Sequence, residues 1–291
     1  MKVITYKKVG DFLNDNYSDL INNEITAQLL FYSAMVNKEL TTYKECIFGK
    51  VIDENKNSTV LIFLNCLPNN LLVNPISMDG LYEAINDLSL YFIKHKVKLN
   101  GLNAKKEICD LFIKCMNNNL SNKKKETLLF EEHLALDIMA LRKLKAMDLK
   151  EGRTRLANTD ELGLINNYMV DFYREALHEE VSYEEQVVKV ERLLHNNKIY
   201  VFENQDHQIV TMAATTRTLV NGVCINYVYT PREYRGQGFA KTNMYHICKG
   251  ILEEGYQFCS LFVDKTNPIS NQVYIDVGFM VIDDQYAYVI K

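Results

Sequence analysis

Apolar residues recur at roughly helical spacing over residues 10–36, where Leu13, Leu20, Ile25, Leu29, Leu30 and Met35 predict one helix. A strand is expected over about Tyr43–Ile52, then a polar turn at Asp53–Ser58 and an apolar, β-branched run at Thr59–Leu67, so the pair reads as a hairpin. A short strand around Val73 ends at Pro75. Asp79–His95 is patterned as a helix, Lys98–Leu102 as a turn and Lys105–Met116 as a second helix. Asn117–Lys125 is polar throughout and reads as a solvated loop. Leu134–Leu144 fits helix or strand; the alternation of Leu134, Leu136 and Ile138 favours a strand.

After a charged connector, Lys145–Arg153, the pattern restarts. Thr154–Ala157 predicts a strand. A helix runs from Asp160 to about Leu177 with Leu164, Tyr168 and Phe172 on one face, and His178–Glu180 breaks it. A second helix spans Tyr183–Asn196, and strands follow at Ile199–Glu203 and Gln208–Thr218. Asn221-Gly222 is a strong hairpin signal. It leads into the apolar strand Val223–Thr230. Gly238 opens a helix whose Ala240, Met244, Ile247 and Ile251 form one buried stripe. Phe258–Asp264 reads as a strand, and Gln285–Lys291 alternates as a half-buried final strand.

The chain has 291 residues, which favours two domains, divided here into 1–147 and 148–291. A 47% hydrophobic fraction argues against disorder, and a net charge of −4 argues against a nucleic-acid binder. No apolar run approaches a membrane span, and the first residues lack a signal-peptide core. The seven cysteines contain no C-x-x-C pair and mostly sit in apolar runs. They read as reduced core thiols of a cytoplasmic protein. The scattered histidines give no metal-ligand spacing.

Chemistry concentrates between Asn226 and Tyr274. Gly236 and Gly238 allow close backbone approach to a ligand, and the first N–H groups of the following helix have no internal acceptors. Such a helix start favours a phosphate. Between Tyr234 and Leu252 there is no Asp or Glu, whereas Arg235, Lys241 and Lys249 are present. Asn267 suits an N-cap and Pro268 the first helical position. In that short helix Ile269, Val273 and Val277 share one face, while Asn267, Ser270, Asn271 and Tyr274 share another.

These residues resemble the GNAT superfamily of acyl-CoA-dependent N-acetyltransferases. The family's Arg/Gln-x-x-Gly-x-Gly/Ala motif is met by Arg235-Gly-Gln-Gly238-Phe-Ala240, and its later Asn…Tyr…Gly-Phe block by Asn267, Asn271, Tyr274 and Gly278-Phe279. The resemblance implies an α/β fold with a mixed sheet: a GNAT fold in the C-terminal half, and a degenerate GNAT-like N-terminal half that lacks the motif. A helical accessory domain is the alternative for the N-terminal half.

The resemblance further implies acetyl-CoA as cofactor. Arg235, Gly236, Gln237, Gly238, Phe239, Ala240 and Lys241 would wrap its pyrophosphate, with Asn267 and Asn271 completing the site. Val228, Tyr229 and Thr230 would hold the pantetheine and polarise the thioester. Tyr274 would be the acid that protonates the departing thiolate. Glu179 and Glu180 would border the acceptor site. The implied reaction is direct attack of a primary amine, small-molecule or peptide, in a ternary complex; no nucleic acid or membrane is involved, and a homodimer is left open.

Plainer readings stand beside these. Arg235 alone is a solvated turn residue, Tyr274 one of 18 tyrosines that could simply pack, and Glu179 and Glu180 a solvated loop. A Rossmann reading of the glycine pair fails for want of a third glycine and an acidic strand end. The strand before the motif carries Asn226, which cannot take a proton. That makes a non-catalytic acyl-CoA sensor the second reading and an interaction module the third.

Overall fold

The computed structural model describes residues 1–39 and 46–291. The chain divides into two compact units, Met1–Leu136 with Asp283–Lys291, and Asp137–Ile282.

The first unit runs β1 (Lys2–Thr5), α1 (Val9–Asn22), α2 (Gln28–Val36), β2 (Cys46–Asp53), β3 (Ser58–Cys66), β4 (Leu71–Pro75), α3 (Leu81–His95), β5 (Gly101–Ala104), α4 (Lys106–Asn122) and β6 (Phe130–Leu141). The second runs β7 (Arg153–Leu156), α5 (Leu162–Phe172), α6 (Tyr183–His195), β8 (Ile199–Glu203), β9 (Ile209–Thr218), β10 (Gly222–Tyr229), α7 (Phe239–Glu253), β11 (Phe258–Asp264), α8 (Pro268–Val277) and β12 (Met280–Ile290). Both units therefore repeat one order, β-α-α-β-β-β-α-β-α-β. The fold is mixed α/β, with the same order of elements in each half.

The first unit is held by antiparallel pairings β1–β2, β2–β3 and β3–β4 and by a short parallel β4–β5 contact. Tyr286–Val289 pair antiparallel with Gly101–Ala104, which is why the chain's last residues belong here. The two strands that cross from one unit to the other, β6 and β12, account for a division different from the one read at the charged connector. Met139 and Leu141 are buried in the second unit's core, and Tyr286 and Tyr288 pack in the first.

Several elements of this unit differ from the sequence pattern. The helix expected over 10–36 is two, because Asn23 caps α1: its N–H and its side-chain amide both donate to the Asp19 carbonyl. The expected loop 117–125 is helical to Asn122. Its asparagines are used in packing rather than solvated: Asn117 bonds Leu128 in both directions, Asn119 donates to Asn86 and Ser89, and Leu120 is buried. Two strands, β1 and β5, are too short to show a period. The expected strand start at Tyr43 lies outside the described residues.

Cys46 and Cys66 face each other across β2 and β3 and form a disulfide, so they are not reduced thiols; the other five cysteines are free and buried. Register explains the pairing, since residues directly opposite in a hairpin bring their Cβ atoms within bonding reach. Among the described residues no helix is long and apolar enough to cross a membrane, and no cluster could hold a metal ion.

The first unit also has a glycine, Gly80, at the N-cap of the helix that follows its fourth strand. There the Met1 side chain lies against Gly80, and Glu83 sits in the first turn. Asp79, just before it, pairs with Lys56. Carboxylates at a helix start disfavour an anionic ligand there.

In the second unit β7, β8, β9 and β10 pair antiparallel and β11 adds in parallel on β10. The apolar stripe of α7 packs as patterned: Met244, Ile247 and Ile251 are buried with Val223, Ile225, Leu261 and Val263. Each such side chain contributes roughly 1.5–3 kcal/mol. Ala240, by contrast, is only half-buried, because it lies at the mouth of the cleft described next.

Candidate active site

The cleft begins where two strands part. β10 and β11 pair only through Gly222–Cys224 and Phe258–Ser260. Past that point β10 is bulged between Cys224 and Ile225 and again between Asn226 and Tyr229, and Tyr227 adopts a left-handed φ of 54°. Tyr227 and Val228 have no registered partner on β9. A bulge re-aims side chains and frees backbone. The space left by the parting strands continues into a cleft of about 740 Å³.

Three segments wall this cleft. The first is Val228–Thr230, all lining it. Within it the carbonyl of Tyr229 already accepts from the Thr211 hydroxyl (2.8 Å), and that of Thr230 from Arg235 Nε (2.8 Å). Any ligand along this strand therefore meets chiefly the backbone at Val228.

The second segment is the turn into α7. Gly236, Gly238, Phe239, Ala240 and Lys241 all line the cleft. Gly238 is the N-cap of α7 at φ 87°, and Gly236 sits at φ 72° with nothing within 4 Å of where a Cβ would lie. Among the described residues the N–H groups of Gly236 to Lys241 have no acceptor, and α7 has no acidic residue in its first turn. An anion with several oxygens satisfies such a row of donors. The residues present thus fit a diphosphate. Gln237 lies in the same turn but off the cleft wall; its amide turns back to the Glu233 carbonyl (3.1 Å).

The third segment is α8. Asn267 caps it, accepting from Ser270 N at 3.1 Å, and lines the cleft. Asn271 stands behind that wall: its amide donates to the carbonyls of Asp264 (3.0 Å) and Asn267 (2.9 Å), tying α8 to the end of β11. Tyr274 lines the cleft with its ring packed at 5.9 Å, edge-on, against Phe279. Among the described residues its hydroxyl makes no hydrogen bond, which leaves the O–H for a ligand. Burial pushes the phenol above its ordinary value, so it stays protonated.

Gly278 fixes the end of α8 at φ 124°, where an added Cβ would lie 2.6 Å from the Lys143 carbonyl oxygen and 3.2 Å from Lys145 N. Gly278→Ala is expected to lower the unfolding free energy by roughly 2–3 kcal/mol. A thermal melt reads this as a clear drop in Tm; an unchanged Tm contradicts the packing described.

The charge pattern differs from the one read along the chain. The stretch 234–252 is free of acids, but folding brings acids to it. Glu175 accepts from Arg235 Nη2 at 2.7 Å and Arg232 Nε at 3.2 Å, and Asp276 stands 3.8 Å from Lys241. Burial alone would raise the Glu175 carboxyl, but the Arg235 hydrogen bond and both guanidinium charges outweigh it and hold it below its ordinary value. Arg235 is therefore a clamp between Glu175 and the Thr230 carbonyl, stacked 5.6 Å from the Tyr229 ring centroid, rather than a free cation.

Lysine has no fork to make both bonds. Arg235→Lys and Arg235→Ala are thus both expected to weaken acetyl-CoA binding about tenfold, or ~1.4 kcal/mol. Calorimetry checks this; lysine matching the native affinity would show that charge alone matters.

Glu175 belongs to a five-residue π segment, Tyr173–Leu177, that continues α5. A π turn shifts the phase of the side chains it carries and recurs at functional sites. It places Glu175 and Ala176 on the cleft wall with Phe172. Sequence reasoning missed Glu175 because the helical pattern gave no sign of the widened turn. Glu179 and Glu180 do not line the cleft; the Glu179 N–H closes the π segment onto the Tyr173 carbonyl (3.1 Å). Lys150 was also missed: its backbone N–H bonds Thr242 Oγ1 (3.1 Å), and its Cε lies 3.3 Å from the Cβ position of Gly238.

Residues 163–279 match the model of the acetyltransferase (GNAT) family. The second unit carries a GNAT domain. The matched span contains the parted strands, the glycine turn and α8 through Phe279.

Solved structures extend the likeness of fold to the whole chain. A GNAT-family acetyltransferase from Colwellia psychrerythraea aligns over 100% of both chains at a TM-score of 0.57 and 11% identity. A GCN5-related N-acetyltransferase from Sphaerobacter thermophilus covers 98% of this chain and 94% of its own, at 0.57 and 13%. A Drosophila protein covers 99% and 98%, at 0.58 and 10%. At such identities these show the GNAT fold alone, in a tandem of two GNAT-like units. No curated protein matches the chain in sequence.

Proposed function

We propose that the GNAT domain binds acetyl-CoA in the 740 Å³ cleft and transfers its acetyl group to a primary amine by direct attack. The observation that carries this reading is the row of unsatisfied N–H groups from Gly236 to Lys241 beside a cleft that also holds the Tyr274 phenol. The N–H row and the positive end of α7 hold the diphosphate. Val228 at the bulge offers backbone to the pantetheine arm and to the thioester oxygen as charge develops there.

The amine nitrogen bonds to the carbonyl carbon, the C–S bond breaks and its electron pair stays on sulfur. Tyr274 gives its proton to that sulfur, the proton lost by the amine goes to water, and water returns a proton to the Tyr274 phenolate. Products are the N-acetyl amide and free CoA thiol. Holding both reactants in one cleft supplies much of the acceleration. The reading carries with it a cytoplasmic setting, where acetyl-CoA is made, and an acceptor that is a small molecule or a peptide amine.

A second reading, a non-catalytic acyl-CoA sensor, is favoured by one observation. Asn226 occupies the strand where a carboxylate base could stand, and its Oδ1 accepts from the Tyr227 N–H at 2.8 Å. An acceptor that arrives as the neutral amine needs no fixed base. Calorimetry with acetyl-CoA followed by thiol release over an amine panel separates the two: binding with amine-dependent release supports the transferase, and binding without release on any amine supports the sensor.

A further inference from the structure

The bulge that presents Val228 to the cleft depends on Tyr227, which holds a left-handed φ of 54°. A bulky residue adopts that conformation only under strain, and strain persists where neighbouring groups over-determine it. The backbone gives Tyr227 little support. Its N–H donates to Asn226 Oδ1 at 2.8 Å, and neither Tyr227 nor Val228 has a registered partner on β9. What holds the bulge is the Tyr227 side chain.

Three neighbours grip that side chain. Lys189 on α6 and Tyr173 in the π segment both hydrogen-bond the Tyr227 hydroxyl, and Lys189 also donates to the Tyr173 hydroxyl. The Lys189 ammonium stands 4.8 Å from the Tyr227 ring centroid and 5.0 Å from that of Tyr173. Phe172 meets the Tyr227 ring edge-on at 5.4 Å. Lys189, Tyr173 and Tyr227 are half-buried, and none of them lines the cleft. Their polar groups bind one another, so the cluster is a clamp and not a ligand site. Charge-assisted hydrogen bonds and cation–π contacts are strongest where water is partly excluded, which makes Lys189 the main grip.

One peptide links this clamp to the chemistry. The Val228 N–H belongs to the planar unit whose direction is set by the backbone torsions of Tyr227. Relaxation of Tyr227 to extended backbone would turn that unit out of its present direction.

We infer that Lys189 is a positioning residue for acetyl transfer: from outside the cleft it holds the Tyr227 ring, and so keeps the Val228 N–H directed at the thioester oxygen. This rests on the acetyl-transfer reading of the cleft. The diphosphate donors between Gly236 and Lys241 lie beyond Thr230 and do not depend on the clamp.

Amide NMR of the full chain, titrated in parallel with acetyl-CoA and with CoA, reads the clamp directly. In the native protein the Val228 amide is expected to respond to the acetyl group, and the Gly236–Lys241 amides to both ligands alike. Lys189→Met should lose the acetyl-specific response at Val228 and keep the others; Lys189→Arg should restore it. With the fastest amine of the panel, Lys189→Met is expected to lower kcat roughly 30-fold, with acetyl-CoA affinity within about threefold of native. Tyr227→Gly supplies a coupled check, since glycine takes a positive φ without strain but does not hold it. It should lower kcat about tenfold, and adding Lys189→Met to it should cost no more than about twofold further.

An acetyl-specific Val228 response that survives in Lys189→Met overturns the inference. So does an unchanged kcat in a variant that merely melts earlier, or a full 30-fold loss in the Tyr227→Gly background. If no amine in the panel is turned over, the NMR response alone decides. A native protein that does not bind acetyl-CoA ends the acetyl-transfer reading and this one with it. Bound acetyl-CoA whose acetyl group leaves Val228 unmoved ends this one alone.

Discussion

Gly238→Val is expected to abolish measurable acetyl-CoA binding in a protein that remains folded. Gly238 holds φ 87° at the N-cap of α7, a left-handed conformation that a β-branched residue adopts only under strain. That strain costs about 1–2 kcal/mol, which a folded domain of this size tolerates. The neighbours nearest the new Cβ are the Cε atoms of Lys150 and Lys241, at 3.3 and 3.4 Å, and flexible lysine ends can yield. The ligand cannot. Valine methyls would stand where the backbone must approach a phosphate, and relief of strain would turn the first N–H groups of α7 away. A rise in Kd of at least about 100-fold, or ~2.7 kcal/mol, is expected by calorimetry, with a Tm only a few degrees lower. Gly236→Ala is the milder companion, since nothing lies within 4 Å of its Cβ position. Native affinity in Gly238→Val would place the diphosphate elsewhere.

Tyr274→Phe is expected to lower kcat about 100-fold and leave acetyl-CoA affinity within about twofold, the lower end of what a positioned acid contributes. The hydroxyl makes no hydrogen bond among the described residues, so its removal strands no partner and should not cost stability. A role in packing alone predicts the reverse, an unchanged kcat. The pH profile adds a second check. Burial moves the phenol above its ordinary value of about 10, so the proton remains available throughout the neutral and mildly alkaline range. The native rate should therefore climb with pH as the acceptor amine loses its proton, with no descending limb below about pH 10. A limb near neutrality would assign the acid to another group.

What the sequence made legible was the part where local signals and tertiary demands agree. The strands Ile199–Glu203 and Phe258–Asp264 begin and end where their patterns do. The turn at Gly236–Gly238, the Asn267 cap and the stripe of α7 were readable because each depends on residues close in sequence. Failures share the opposite property. The break after Asn22 depends on an asparagine that could as well have sat in a helix, and the asparagines of 117–122 were polar without being solvated because their partners lie on α3 and before β6. Arg235 read as a free cation since its acid partner lies 60 residues away, carried in by a π segment. Cys46 and Cys66 meet only through strand register.

The most direct measurement of the central claim is a crystal structure of the full chain grown with acetyl-CoA. The account predicts the diphosphate oxygens within hydrogen-bond distance of the backbone N–H groups between Gly236 and Lys241, and the thioester sulfur beside the Tyr274 hydroxyl. Density for the same molecule in another cavity, with the turn before α7 bare, would contradict it.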